Sequence, residues 1–101
     1  MNDIIVMVSY RAQADQVQTA LSAIAALVST VLTNEPACKG IEILQEDTDQ
    51  TRITLVERWT SRDEFLGPHM QQPHIQAFIR AAGSFLSGPP EISFWRPVSL
   101  T

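Results

Sequence analysis

Residues 40–64 read GIEILQEDTDQTRITLVERWTSRDE, and the fold follows from them. Two runs with apolar residues at alternating positions, Gly40 to Asp47 and Thr51 to Thr60, flank the short polar stretch Asp47-Thr48-Asp49-Gln50. Turn-forming residues between two such runs predict an antiparallel hairpin. In the second run Ile53, Leu55, Glu57 and Trp59 share one face, and Thr54, Val56 and Arg58 share the other, because side chains alternate along a strand. Ser61-Arg62-Asp63-Glu64 is then a capping box: the serine hydroxyl accepts from an early amide and Glu64 can reach back.

Upstream, Ile4 to Arg11 reads as a strand. Ile4, Val6, Val8 and Tyr10 lie on one face and Ile5, Met7 and Ser9 on the other, both largely apolar, as in a strand covered on both sides. A helix is predicted from about Ala14 to Thr33. Val17, Leu21, Ile24, Val28 and Val31 recur at three- and four-residue steps, widened by Ala20, Leu27 and Leu32. Asn34-Glu35-Pro36 ends it, since a proline disfavours the helical conformation of the residue before it.

Downstream, Gly67-Pro68 predicts a break, because proline lacks an amide proton and clashes with the carbonyl four residues back. A second helix starts near Pro73, a suitable first-turn residue, carries Ile75, Phe78, Ile79 and Ala82 inward, and ends at Gly83. After the Gly88-Pro89-Pro90 loop, Glu91 to Val98 is a last strand. Ile92 and Phe94 share one face, Trp95 takes the other, and Pro97 marks a sheet edge. The order βαββαβ predicts an α+β, ferredoxin-like fold, an antiparallel sheet with helices on one face. A sheet apolar on its other face as well needs a second cover, and a second copy of the chain is the simplest, so a homodimer is expected.

The 101 residues fit a single domain, residues 1–101. With 45% apolar and 18% charged residues the composition is that of an ordinary folded protein. The net charge of −4, with no basic stripe, argues against nucleic acid as a partner. The apolar stretches read as too short and interrupted to span a bilayer, and Met1-Asn2-Asp3 lacks the features of a signal peptide. The lone Cys38 leaves no internal disulfide and no cysteine-based metal cluster. A soluble, cytoplasmic protein without membrane partner is the expectation.

The stretch Glu35-Pro36-Ala37-Cys38-Lys39-Gly40, then Ile43-Leu44-Gln45, Glu57-Arg58-Trp59-Thr60-Ser61 and His69-Met70-Gln71-Gln72-Pro73-His74, resembles the antibiotic biosynthesis monooxygenase family. That family shows an E-P-G-C-x-G turn, an E-x-W at the end of the third strand and an H-L-x-x-P-H element after it. Two departures stand out: Ala37 replaces the turn glycine, and Phe65-Leu66-Gly67-Pro68 is one residue longer than usual. The tail Phe85 to Pro90 also resembles the family's sugar-phosphate isomerase branch. The resemblance implies a dimeric α+β barrel with one pocket per subunit between sheet and helices. Its members include cofactor-free monooxygenases of phenols, quinol oxidases, haem-degrading enzymes and that isomerase. The haem branch carries a histidine late in the second helix, where Gln76-Ala77-Phe78-Ile79-Arg80 has none, so neither haem nor another cofactor is expected.

The candidate site is therefore His69, Trp59, Tyr10, Ser9, His74, Phe65 and Phe78. His69 could act as the base near neutral pH, or cap a helix. The Trp59 indole could donate to a substrate oxygen or stack on an aromatic substrate, or serve only in packing. Tyr10 and Ser9 end the first strand, where the family places polar pocket groups. His74 could line the pocket mouth or be solvated, and Phe65, Phe78 and Ile75 would be apolar walls. No metal is expected: the five-residue spacing of His69 and His74 matches no ligand motif. Glu57 reads as structural, paired with Arg58 or Arg52, and Cys38 as a small buried residue. No G-x-G-x-x-G, P-loop or G-x-S-x-G is present. The function expected is cofactor-independent oxidation of a small phenolic or quinol substrate by O2. The alternatives are proton-transfer isomerisation of a small carbonyl or sugar-phosphate compound, and a dimeric binding or stress protein without turnover.

Overall fold

The computed structural model describes residues 3–100, so the reading of Met1 and Asn2 lies outside the described residues. Four strands, β1 (Ile4–Arg11), β2 (Cys38–Gln45), β3 (Arg52–Trp59) and β4 (Glu91–Trp95), form one sheet. Its order is β2-β3-β1-β4 and every pairing is antiparallel. The helices α1 (Val17–Asn34), α2 (Arg62–Leu66) and α3 (Pro73–Ala82), with a 3-10 turn at Pro68–Gln71, complete the expected α+β, ferredoxin-like arrangement.

The core lies between the helices and the sheet face built from Val6, Val8 and Tyr10 of β1 and Ile53, Leu55 and Trp59 of β3. Ala20, Ile24, Val28 and Val31 of α1 pack onto it. The β1–β3 register sets Val8 opposite Leu55 and Val6 opposite Glu57, so the inward side chains of both strands meet as cross-strand neighbours.

Helix α1 starts at Val17, later than the periodicity suggests. The reason is local. Gln13 donates its amide to Phe85 O at 2.9 Å and its side chain to Gly83 O at 3.0 Å and Leu86 O at 3.2 Å. These bonds tie the chain to the α3–β4 connection, where Ala12 also bridges to Leu86, and a turn at Ala14-Asp15, closed by the Gln16 amide on Gln13 O at 2.9 Å, precedes the helix. By length and composition α1 could cross a membrane, contrary to the reading of short interrupted stretches, but its apolar face is a wall of this core. Leu32 on α1 is 44% exposed, on the margin of its helix's apolar stripe, while Ile79 on α3 lines the interior cavity although it is 51% exposed.

The hairpin tip is held by Asp49, whose Oδ1 accepts from the Thr51 amide at 3.1 Å and the Thr51 hydroxyl at 2.6 Å, an arrangement that favours the turn. Strand β2 begins at Cys38, opposite Trp59, and its register shifts between Cys38 and Gly40. The Ser61 hydroxyl accepts from the Glu64 amide at 3.1 Å and starts α2. The Gly67-Pro68 break behaves as the sequence predicts. Gly67 closes α2 with its amide on Asp63 O at 2.8 Å, and Pro68 opens the 3-10 turn. Two prolines five residues apart thus cut what would be one helix into three short pieces. The middle piece carries His69 into the interior.

Candidate active site

A cavity of about 550 Å³ lies between the sheet and the helices. Val8, Leu55, Val28, Phe65, Ile75 and Phe78 are among its apolar walls, and the Gly88-Pro89-Pro90 loop also lines it. Three side chains bring polar atoms to it: Tyr10, Glu57 and His69. A largely apolar concavity with few convergent polar groups is the usual form of a small-molecule site.

His69 is 6% exposed. Its ring stacks on Phe65, with centroids 4.9 Å apart, and meets Trp59 edge-on at 4.5 Å. Its Nδ1 donates to Glu35 Oε1 at 2.9 Å, while the other oxygen of Glu35 bonds His74 Nε2 at 2.5 Å. Glu35 is itself 6% exposed and stands at the C-terminal cap of α1, its amide on Val31 O at 2.8 Å. A carboxylate can stay buried where both oxygens are bonded in this way.

The bond to Glu35 fixes the imidazole tautomer. With the proton on Nδ1, Nε2 carries the lone pair. Nε2 has no hydrogen-bond partner among the described residues, yet no polar side-chain atom among them is buried unpartnered. It therefore opens on the cavity. Burial pushes the His69 pKa below the ordinary imidazole value, against the Glu35 bond, which pulls it up. The ring is thus mostly neutral at pH 7.

Glu57 is 4% exposed, and its Oε1 accepts from Trp59 Nε1 at 2.8 Å. Burial raises its pKa to about 7, with the Trp59 bond opposing and the charge of Glu35 adding. Tyr10 packs edge-on against Phe78 at 5.8 Å. Burial, and next the charge of Glu57, push its phenol far above the ordinary range, so it remains a donor.

Among the residues singled out from sequence, the structure brings His69, Tyr10, Phe65 and Phe78 to one cavity. Trp59 stands behind that wall, 1% exposed, with its N–H given to Glu57. It backs His69 and holds Glu57 rather than meeting a ligand itself. His74, on the first turn of α3, reaches Glu35 and is not a wall residue. Ser9 lies on the opposite sheet face, where its hydroxyl shares a hydrogen bond with Thr54 Oγ1 at 3.1 Å. Glu57 is paired with neither Arg58 nor Arg52. Arg58 reaches Asp3 at 3.5 Å and Arg52 reaches Glu46 at 3.8 Å. Glu35 was invisible as a site residue: its two histidine partners are 34 and 39 positions away, beyond any local pattern.

The family model for antibiotic biosynthesis monooxygenases matches residues 3–81, which hold the hairpin, Glu35, Glu57, Trp59 and both histidines. The chain belongs to the antibiotic biosynthesis monooxygenase family. Solved structures show the same fold. A Bordetella bronchiseptica protein named for this family superposes with a TM-score of 0.87 at 18% identity, covering 98% of this chain and 100% of the other. A Caulobacter crescentus protein named likewise gives 0.86 at 22% identity, covering 97% and 92%. A Pseudomonas aeruginosa protein gives 0.86 at 18% identity, covering 98% and 97%. None of the curated protein sequences matches significantly. At these identities the likeness is one of fold, and the chemistry has to be argued from the site.

Proposed function

We propose that this antibiotic biosynthesis monooxygenase family member is a cofactor-independent monooxygenase oxidising a small phenolic or quinol substrate. The observation that carries the proposal is the neutral, buried His69, whose tautomer Glu35 fixes and whose Nε2 meets an apolar cavity. In the reaction envisaged, Nε2 removes the hydroxyl proton of the substrate. The O–H bond breaks, its electron pair stays on oxygen, and the electron-rich anion reduces O2. One oxygen atom enters the ring as a carbonyl and the other leaves as water, with the substrate as the reductant. The dry walls keep the anion reactive and favour flat aromatic ligands.

An isomerase would use the same base to move a proton between carbons without O2. The Gly88-Pro89-Pro90 loop at the cavity favours that reading, since it lies in the tail that resembles the isomerase branch. A sugar phosphate, however, would find no Lys or Arg among the described residues lining the cavity. Turnover by the purified protein, with and without oxygen, separates the readings. Oxygen uptake with a naphthol or hydroquinone supports the monooxygenase. Product formed under argon supports the isomerase, and absence of turnover with tight binding supports a binding protein.

A homodimer and a cytoplasmic location belong to the same proposal. On the sheet face away from the helices Ile5, Met7 and Val56 are half-buried while Leu44 and Trp95 are exposed, a patch that a second sheet would cover. Sedimentation equilibrium should give twice the chain mass. A monomer at micromolar concentration would count against it.

A further inference from the structure

Glu57 is the costliest side chain in the cavity wall. Carboxylates are almost never buried without a partner, yet Glu57 is 4% exposed and its hydrogen bond is to a neutral indole. The ionisable groups that act on it or feel it are Tyr10 from β1, Glu35 after α1 and Cys38 from β2, and none of them is a cation. Its Oε2 has no hydrogen-bond partner among the described residues, it is not fully buried, and Glu57 is one of the residues that line the cavity. Because Oε1 accepts from Trp59, a protonated Glu57 carries its proton on Oε2. Glu57 and His69 flank the same indole, one bonded to it at 2.8 Å and the other in ring contact at 4.5 Å.

We propose that Glu57 is a catalytic residue that donates from Oε2 to an acceptor oxygen of the substrate while His69 faces the hydroxyl of the same molecule. The substrate class narrows accordingly, from phenols at large to flat, apolar molecules that carry a hydroxyl and a conjugated carbonyl. This inference rests on the reading of His69 as the base. When Nε2 takes the hydroxyl proton, the negative charge delocalises onto the carbonyl oxygen, which the Glu57 O–H holds. The proton of Glu57 stays on Glu57, and no electron passes to the protein. A donor aimed where charge develops is worth most inside a water-poor site. The carboxyl with a pKa near 7 is protonated below neutrality and supplies that donor there.

The test is calorimetric binding under argon with a matched pair, 6-hydroxy-1-tetralone and 5,6,7,8-tetrahydro-2-naphthol, which differ by the carbonyl. The wild type should prefer the ketone by about tenfold at pH 6, the size expected of one buried hydrogen bond, and lose most of that preference at pH 8. Glu57→Gln, whose amide still donates, should keep it at both values. Glu57→Leu, confirmed as folded by circular dichroism, should bind both ligands alike. Preference retained by Glu57→Leu, a wild-type preference that ignores pH, or a wild type that binds neither ligand would overturn the proposal. Failure of the His69 reading shows elsewhere, as unchanged oxygen uptake in a His69 variant, and leaves the binding result standing.

Discussion

Glu35 Oε1 accepts the Nδ1 proton of His69 at 2.9 Å, joining the end of α1 to the 3-10 turn between two residues each 6% exposed. Since His74 holds the other oxygen, one carboxylate ties together three pieces of chain. Glu35→Ala leaves two imidazoles without their acceptor, one of them buried. It should cost about 2–4 kcal/mol of stability, read from guanidinium unfolding, and lower oxygen uptake with a phenol roughly tenfold to hundredfold. An unfolding midpoint equal to that of the wild type would mean that the bridge does not hold the site.

Two of the buried titratable groups of the cavity, Glu57 and His69, make opposite contributions to stability with pH. The Glu57 pKa is raised from 4.5 to about 7, so the folded chain binds the extra proton between those values. Stability from this group is full below pH 4.5 and is lost as pH rises to about 7, by up to about 3 kcal/mol. The His69 pKa is lowered, so the unfolded chain takes up that proton more readily, and this group removes stability as pH falls below 6.5. Glu57→Gln should therefore abolish the decline between pH 4.5 and 7 and leave the acid-side loss. A Glu57→Gln stability curve parallel to that of the wild type would contradict it.

Gly67 has φ −97° and ψ −96°, and a Cβ there would lie 3.0 Å from the carbonyl oxygen of Asp63, a backbone atom. Gly67→Ala should cost about 1–2 kcal/mol through that overlap. It should also lower turnover, because the residue immediately after Pro68 is His69. A thermal melt and initial rates measure both effects, and a variant equal to the wild type in each would show that the break tolerates displacement.

Burial holds the Cys38 thiol at about 11, above its ordinary 9.0. At pH 8 its thiolate fraction is thus about a hundredfold lower than that of an unshifted thiol. Reaction with a disulfide reagent should be slow in the folded protein and rapid in guanidinium, and fast modification of the native chain would contradict the burial.

The fold was legible because its signals are local. Alternation in residues 51–60, the Ser61 cap and the Gly67-Pro68 break each act within a few residues, and the structure realises them, the capping box through its Ser61 half. Periodicity was less able to say how wide a helix's buried stripe is. Leu32 fits the repeat, but the neighbouring elements do not reach far enough to cover it. The candidate site was legible only in part. Tyr10 and Glu57 share the inward sheet face by strand alternation, yet alternation cannot say that Glu57 lacks a cation. Its supposed partners Arg52 and Arg58 point to the other face of β3, where Glu46 and Asp3 meet them. The bonds of Glu35 to His69 and His74 depend on tertiary packing, and no spacing announces them.

The central claim is that His69 is the base of this cavity. Oxygen uptake with an electron-rich naphthol at pH 7, compared between the wild type and His69→Gln, tests it most directly. The account predicts uptake by the wild type and a loss of about a hundredfold or more in the variant, the usual scale of a general base, with ligand binding kept. Uptake by His69→Gln at the wild-type rate would contradict it.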